Sequence, residues 1–144
     1  MSDIAEQQQI ILTIAGSDPS GGAGIQADIK TFVTAGVYGA AAITSLTVQN
    51  TTGVFAVQPV EPSFIRDQIS YVLADLNVSH IKIGMLGSAA AAAVISAVLA
   101  DFSGEVIYDP VLVSSSGRRL FDRMDLDVAL NDLLGVCVVY DCYV

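Results

Sequence analysis

The sequence predicts an α/β fold built on a mostly parallel, buried sheet. Short β-branched runs alternate with longer segments of helical periodicity from Ile10 onward, the pattern that produces right-handed βαβ crossovers. The short runs are apolar almost throughout, as strands covered on both faces are. Of 144 residues, 53% are hydrophobic and 15% charged, whereas an average soluble domain carries roughly 25% charged residues. This length and composition fit one α/β domain over residues 1–144, or one fragment of a larger fold, and exclude disordered and fibrous classes.

Residues 10–15 form an apolar, β-branched run stopped by Gly16, short enough for a buried strand. The glycine-rich segment 16–24 follows as a tight loop. Ile25, Ile29, Phe32 and Val33 then recur at helical spacing, and Gly36 supplies the stop expected just past a helix C-terminus. Residues 40–48 predict a second strand, followed by a polar break at 49–53 and a short extended piece over 54–57. Pro62 sits at a first helical position after Glu61, and Phe64, Ile65, Ile69, Val72, Leu73 and Leu76 make one apolar face. Residues 80–84 predict a third strand, and Ser88 caps an alanine-rich helix running to Ala100. A fourth strand over 106–108 ends at Asp109-Pro110, because Pro110 cannot donate to an interior ladder. A helix over 122–134 and a strand over 136–140 bring the sheet to about five or six strands, with no repeat or linker.

Fifteen acidic residues against six basic ones give a net charge of −9, and the basic side chains are scattered, which argues against a nucleic-acid partner. Only Arg118, Arg119 and Arg123 cluster, as a phosphate contact or as a solvated helix start. Cys137 and Cys142 have no histidine near them, so neither zinc nor a disulfide framework is supported. They read as buried thiols of a reduced, cytoplasmic protein. Asp3 and Glu6 precede the first apolar run, where a secretory signal needs positive charge. The uncharged stretch 31–60 carries too much Gly, Thr, Ser, Asn and Gln for a membrane span, and 83–100, with Gly84 and Gly87, fits strand, turn and helix better.

Ligands of parallel sheets bind beyond the carboxyl ends of the strands, which here means the segments 16–24, 49–53, 85–88 and 109–117. Gly16 and Gly21 have the spacing of a phosphate-binding P-loop, but Gly22-Ala23 stands where Lys and Ser or Thr are required. Gly22-x-Gly24-x-x-Ala27 fits the loose dinucleotide fingerprint, yet no acid occurs between Asp28 and Glu61 to bind a ribose. Two roles remain for Gly16, Gly21, Gly22 and Gly24. Either their backbone approaches a small ligand and feeds a helix N-terminus that favours an anion or polar group, or they serve chain geometry alone. Asp28, at the edge of the inward helix face, wants a partner: a ligand or a local hydrogen bond. The Gln49 amide donates and accepts at once, which suits a heterocycle presenting an amine beside a ring nitrogen; the alternative is an ordinary loop amide. Met85 walls an aromatic ligand or fills the core. His80 has no cysteine or carboxylate motif around it and reads as structural.

Five ordered segments carry a resemblance: Thr-Ile-Ala-Gly-Ser-Asp-Pro-Ser-Gly-Gly-Ala-Gly-Ile-Gln-Ala-Asp (13–28), Lys-Thr-Phe (30–32), Val-Gln-Asn-Thr (48–51), Lys-Ile-Gly-Met-Leu (82–86) and Asp-Pro-Val-Leu-Val-Ser-Ser-Ser-Gly (109–117). Together they resemble the hydroxymethylpyrimidine/phosphomethylpyrimidine kinase family of thiamine biosynthesis, from about residue 11 to residue 134. The resemblance implies a three-layer ribokinase-like (Rossmann-like) α/β fold, usually a homodimer. Such enzymes phosphorylate 4-amino-5-hydroxymethyl-2-methylpyrimidine and then its monophosphate, using ATP and magnesium. By motif, the resemblance implies that Asp28, Gln49, Met85 and Val111 line the pyrimidine pocket, with Gly16, Gly21, Gly22 and Gly24 in the substrate loop. Pyridoxal kinases share the fold, and a fragment of one is the alternative, although segments 48–51 and 82–86 look more like the pyrimidine enzymes.

Members of that family continue for roughly as long again, through a nucleotide site and a Gly-x-Gly-Asp loop whose Asp is the catalytic base. Here no glycine follows Gly135, and the Gly22-Ala23-Gly24 triplet is followed by Ile25. The expectation is a truncated fold holding the substrate-binding half, with no catalytic residue and no ATP or magnesium site of its own. Such a chain is active only when a second chain supplies the rest, or it is a non-catalytic pyrimidine- or pyridoxal-binding remnant. The truncated sheet edge is expected to favour association between copies.

Overall fold

The computed structural model describes residues 9–121, 125–137 and 139–140. Strands β1 (Ile10–Ser17), β2 (Tyr38–Asn50), β3 (Gly53–Pro59), β4 (His80–Ile83), β5 (Glu105–Tyr108) and β6 (Val139–Tyr140) form one sheet, and helices α1 (Gly24–Thr34), α2 (Pro62–Asp75), α3 (Ala89–Leu99) and α4 (Leu126–Leu134) connect them. The spatial order is β3-β2-β1-β4-β5-β6. Every neighbouring pair is parallel except β2–β3, which is antiparallel.

Because side chains alternate along a strand, the sheet sends two different sets of residues to its two faces. Leu12, Ile14, Ile81, Ile83, Val106 and Tyr108 enter the main core with Ile65 and Ile69 of α2, Ile95 and Leu99 of α3, and Leu133 of α4. Full burial of each large apolar side chain contributes about 1.5–3 kcal/mol. Thr13 and Lys82 are register partners across β1 and β4 and face the other side, where Asp28 of α1 bonds to both. Among the described residues, one helix on one face and three on the other make a three-layer α/β arrangement, as the resemblance implies.

Local signals set the helix ends. Ser88 accepts a bond from the Ala91 N–H as the cap of α3, and Gly36, at φ 75°, turns the chain out of α1, with its own N–H and that of Val37 donating back to Val33 and Phe32. Several boundaries differ from expectation. The polar break at 49–53 is a tight hairpin: Gln49 and Asn50 pair with Val54 and Gly53, and the Asn50 side chain accepts from the Thr52 N–H and hydroxyl, an Asx turn. The extended piece after it is therefore a full edge strand. Phe64 does not join the buried face of α2 and is 61% exposed, whereas Ile65 and Ile69 are fully buried. The last helix begins at Leu126 rather than 122, with residues 122–124 outside those described. Val136 and Cys137 still donate to the Leu133 carbonyl, so neither belongs to the final strand, which is described over Val139–Tyr140. Among the described residues, no helix is long and apolar enough to cross a membrane.

Candidate functional site

Parallel strands β1, β4 and β5 deliver their following loops to one end of the sheet, and the β2–β3 hairpin stands beside them. A cavity of about 300 Å³ opens there. Asp28, Gln49, Met85 and Val111, from four separate segments, all line it, together with Gly16 and Gly24. Gly21 does not, and Gly22 borders a neighbouring polar depression between the Asn50–Gly53 turn and Ser114–Ser116. Lys82, Asp18, Thr47 and Asp109 also line the cavity, and the sequence reading gave none of them a role.

The glycine loop is organised around Asp18, which is 2% exposed. Its carboxylate accepts from the Ser20 N–H at 2.8 Å, the Ser20 hydroxyl at 2.7 Å, the Gly22 N–H at 3.0 Å and the Ala23 N–H at 2.9 Å. Burial opposes the charge, but the Ser20 hydroxyl and the Ser20, Ala23 and Gly22 N–H groups outweigh it and hold the carboxyl below its ordinary value. Gly21 and Gly24 adopt φ of 77° and 58°, and a Cβ on Gly24 would run into the Gly16 carbonyl, so both glycines answer to geometry. Lys30 fastens the loop by donating to the Gly21 carbonyl at 2.7 Å. Three N–H groups of the loop, those of Ser20, Gly22 and Ala23, are thus taken up by the protein's own carboxylate.

Asp28 has local hydrogen-bond partners. Thr13 Oγ1 donates to Asp28 Oδ2 at 2.6 Å, and the Lys82 ammonium lies 3.2 Å from Oδ1 and 3.1 Å from Oδ2. The pair is largely but not wholly covered, with side-chain exposures of 25% for Lys82 and 17% for Asp28. The carboxylate thus has local partners and also borders the cavity.

Gln49 is half-buried near the end of β2. Thr47 Oγ1 lies 2.8 Å from the Ser17 carbonyl and 3.2 Å from Gln49 Oε1; one hydroxyl proton favours the shorter contact, which leaves the amide edge with donor and acceptor capacity toward the cavity. Met85 is buried, and its sulfur lies 3.1 Å from where a Cβ on Gly16 would stand, so it is at once core filler and cavity wall. Val111 follows β5 on a loop that Arg118 ties down by donating to the Phe55 carbonyl at 2.7 Å and the Val54 carbonyl at 3.3 Å. Arg118 is thereby a clasp on β3, and Arg123 lies outside the described residues. His80 sits at the amino end of β4 beside Gln9 and Ser79, away from the cavity. The Cys137 thiol is pushed up to about 11 by burial, and Cys142 lies outside the described residues.

Residues 18–140 match the phosphomethylpyrimidine kinase family. The chain belongs to that family. A hydroxymethylpyrimidine/phosphomethylpyrimidine kinase of Rhizobium meliloti is 44% identical over 130 residues, which is 90% of this chain and 49% of the relative. The crystal structure of a phosphomethylpyrimidine kinase from Clostridium difficile superposes with a TM-score of 0.84 at 40% identity, over 92% of this chain and 58% of that one. A Staphylococcus aureus pyridoxal kinase in complex with pyridoxal gives a TM-score of 0.80 at 29% identity, over 92% of this chain and 49% of that one. This phosphomethylpyrimidine kinase family member therefore spans about half the length of the curated relatives it matches.

Proposed function

We propose that the cavity binds 4-amino-5-hydroxymethyl-2-methylpyrimidine or its monophosphate, and that this chain supplies the substrate-binding half of an ATP-dependent kinase of thiamine biosynthesis. The observation that carries the reading is the convergence of Gln49, Asp28, Met85 and Val111 on one cavity of about 300 Å³, the low end of the range for small-molecule sites. Gln49 offers an amide edge to an aminopyrimidine, Asp28 an acceptor to the hydroxymethyl group, and Met85 and Val111 apolar walls to the ring. Pyridoxal is the second reading, favoured by the likeness to pyridoxal kinase; the higher identity to the pyrimidine enzymes argues for the first.

In this reading ATP and magnesium are held outside the described residues. One observation supports that placement for the nucleotide: the Ser20, Gly22 and Ala23 N–H groups of the glycine loop already bind Asp18. Turnover by the chain alone is accordingly expected to be slight, since phosphoryl transfer depends on positioning and charge stabilisation around the nucleotide.

Titration calorimetry tests the reading. Gln49→Ala should weaken hydroxymethylpyrimidine binding by about 1–3 kcal/mol, because a buried hydrogen-bonding edge loses its partner, while His80→Ala should leave affinity unchanged. Equal affinities for wild type and Gln49→Ala would show that the pocket is assigned to the wrong residues.

A further inference from the structure

A charged residue in the third position of a four-residue strand at the middle of a sheet has to be explained. Lys82 is such a residue, with β1 on one side and β5 on the other. It is the single basic residue among the described residues lining the cavity. Its ammonium reaches along the sheet face toward the carboxyl end of β4: it lies 3.0 Å from where a Cβ on Gly84 would stand, so the missing side chain at Gly84 gives the head group its room. Two of its contacts go to the two oxygens of Asp28.

The hydrogen-bonding capacities left over define what this pair can recognise. An ionised carboxylate has about four lone-pair sites and an ammonium three N–H donors. Asp28 Oδ2 accepts from Thr13 and Lys82, and Oδ1 from Lys82 alone, so one acceptor site on Oδ1 is open. Lys82 keeps one N–H beside it. An adjacent donor and acceptor fit a group that both gives and receives a hydrogen bond. A hydroxyl does this; an aromatic amine gives only.

We infer that Lys82 is a specificity-determining residue of the cavity: it positions the Asp28 carboxylate and donates to the same ligand hydroxyl that Asp28 accepts from, so that the pair selects a heteroaromatic alcohol. This rests on the pyrimidine-pocket reading and adds a residue and a selection rule to it.

The test compares 4-amino-5-hydroxymethyl-2-methylpyrimidine with its analogue 4-amino-2,5-dimethylpyrimidine, which lacks only the hydroxyl, by titration calorimetry on the full chain. Wild type should prefer the alcohol by about tenfold or more, the scale of one charge-assisted hydrogen bond. Lys82→Met should bind the dimethyl analogue within about threefold of wild type while its preference for the alcohol falls to about threefold or less. A purely structural role for Lys82 would lower both affinities together and leave the ratio intact, and that result overturns the inference. Should Lys82→Met fail to fold, Lys82→Gln carries the same comparison. Equal binding of the two ligands by wild type overturns the hydroxyl assignment while leaving the pocket in place, whereas binding of neither ligand overturns the pocket reading itself and this inference with it.

Discussion

Replacing Asp18 by Asn tests whether the glycine loop is held by a charge. Asn keeps the shape and one acceptor oxygen, so the bonds from Ser20 can survive. Its second terminal atom becomes a donor and then faces the Gly22 and Ala23 N–H groups, which the carboxylate now binds at 3.0 and 2.9 Å. Two buried backbone donors lose their acceptor. Hydrogen bonds to a charged group contribute about 1.5–3 kcal/mol each, but neighbouring bonds do not add in full, so the expected cost is about 3 kcal/mol, or roughly 10 °C in Tm for a chain of this size. The pH dependence gives the more specific signature. The folded-state carboxyl lies below its ordinary value of 3.8, so its stabilisation is fully present above the unfolded pKa and is lost as pH falls through the folded one. In urea denaturation, the gap between wild type and Asp18→Asn should stay constant from about pH 5 to pH 8 and close below about pH 4. A gap under about 0.5 kcal/mol at pH 7, or one that persists undiminished in acid, would refute the charge-held loop.

Gly87 and Gly117 share a left-handed backbone, φ 83° and 84°, but a Cβ on Gly87 would strike the buried Ser45 hydroxyl while one on Gly117 meets nothing within 4 Å. Gly87→Ala should therefore cost about 2–4 kcal/mol and Gly117→Ala only about 1–2 kcal/mol in denaturant midpoint analysis, since the first adds overpacking to the conformational strain common to both; equal costs would exclude the packing explanation. Cys137, with its thiol pushed up to about 11, should react with iodoacetamide roughly a hundredfold more slowly than a free cysteine at neutral pH, measured in a Cys142→Ser background. Alkylation at the free-cysteine rate would contradict its burial.

Much of the fold was legible because its signals are local. The β-branched runs, Gly36 and Pro62 each act within a few residues of themselves, and Ser88 caps as its type and position require. The misreadings arose where a partner distant in sequence or a subtle local geometry decides. Gln49 and Asn50 look like a polar break until strand β3 folds back on them. Phe64 falls one position from Ile65, and one position on a helix is about 100° of rotation. The candidate site divides in the same way. Its loops follow from the rule that parallel sheets bind at their carboxyl ends, but Lys82 is separated from Asp28 by 54 residues, and no pattern in the sequence joins them. The glycine-rich motif around Asp18 carries a more local signal, because an Asp followed by Pro, Ser and two glycines is the composition of a loop that wraps a carboxylate.

Asp18 and Asp28, two of the carboxylates lining the cavity, show why burial and charge do not by themselves distinguish a binding residue from a structural one. Asp18 is the more buried, and its pKa is displaced, features that often mark functional groups. Counting lone pairs reverses that ranking. Oδ1 of Asp18 accepts from the Ser20 N–H and hydroxyl, and Oδ2 from the Gly22 and Ala23 N–H groups, so about four acceptor sites are filled and none is left for a ligand. Asp28 accepts three bonds and keeps one site open. The structural carboxylate is the saturated one, and its saturation fixes the loop that walls the cavity, whereas the unsaturated one stands beside Lys82, the one cation among the described residues that line it. Loss of Asp18 is thus expected to act on stability first and on affinity only through the loop, while loss of Lys82 is expected to change which ligand is preferred.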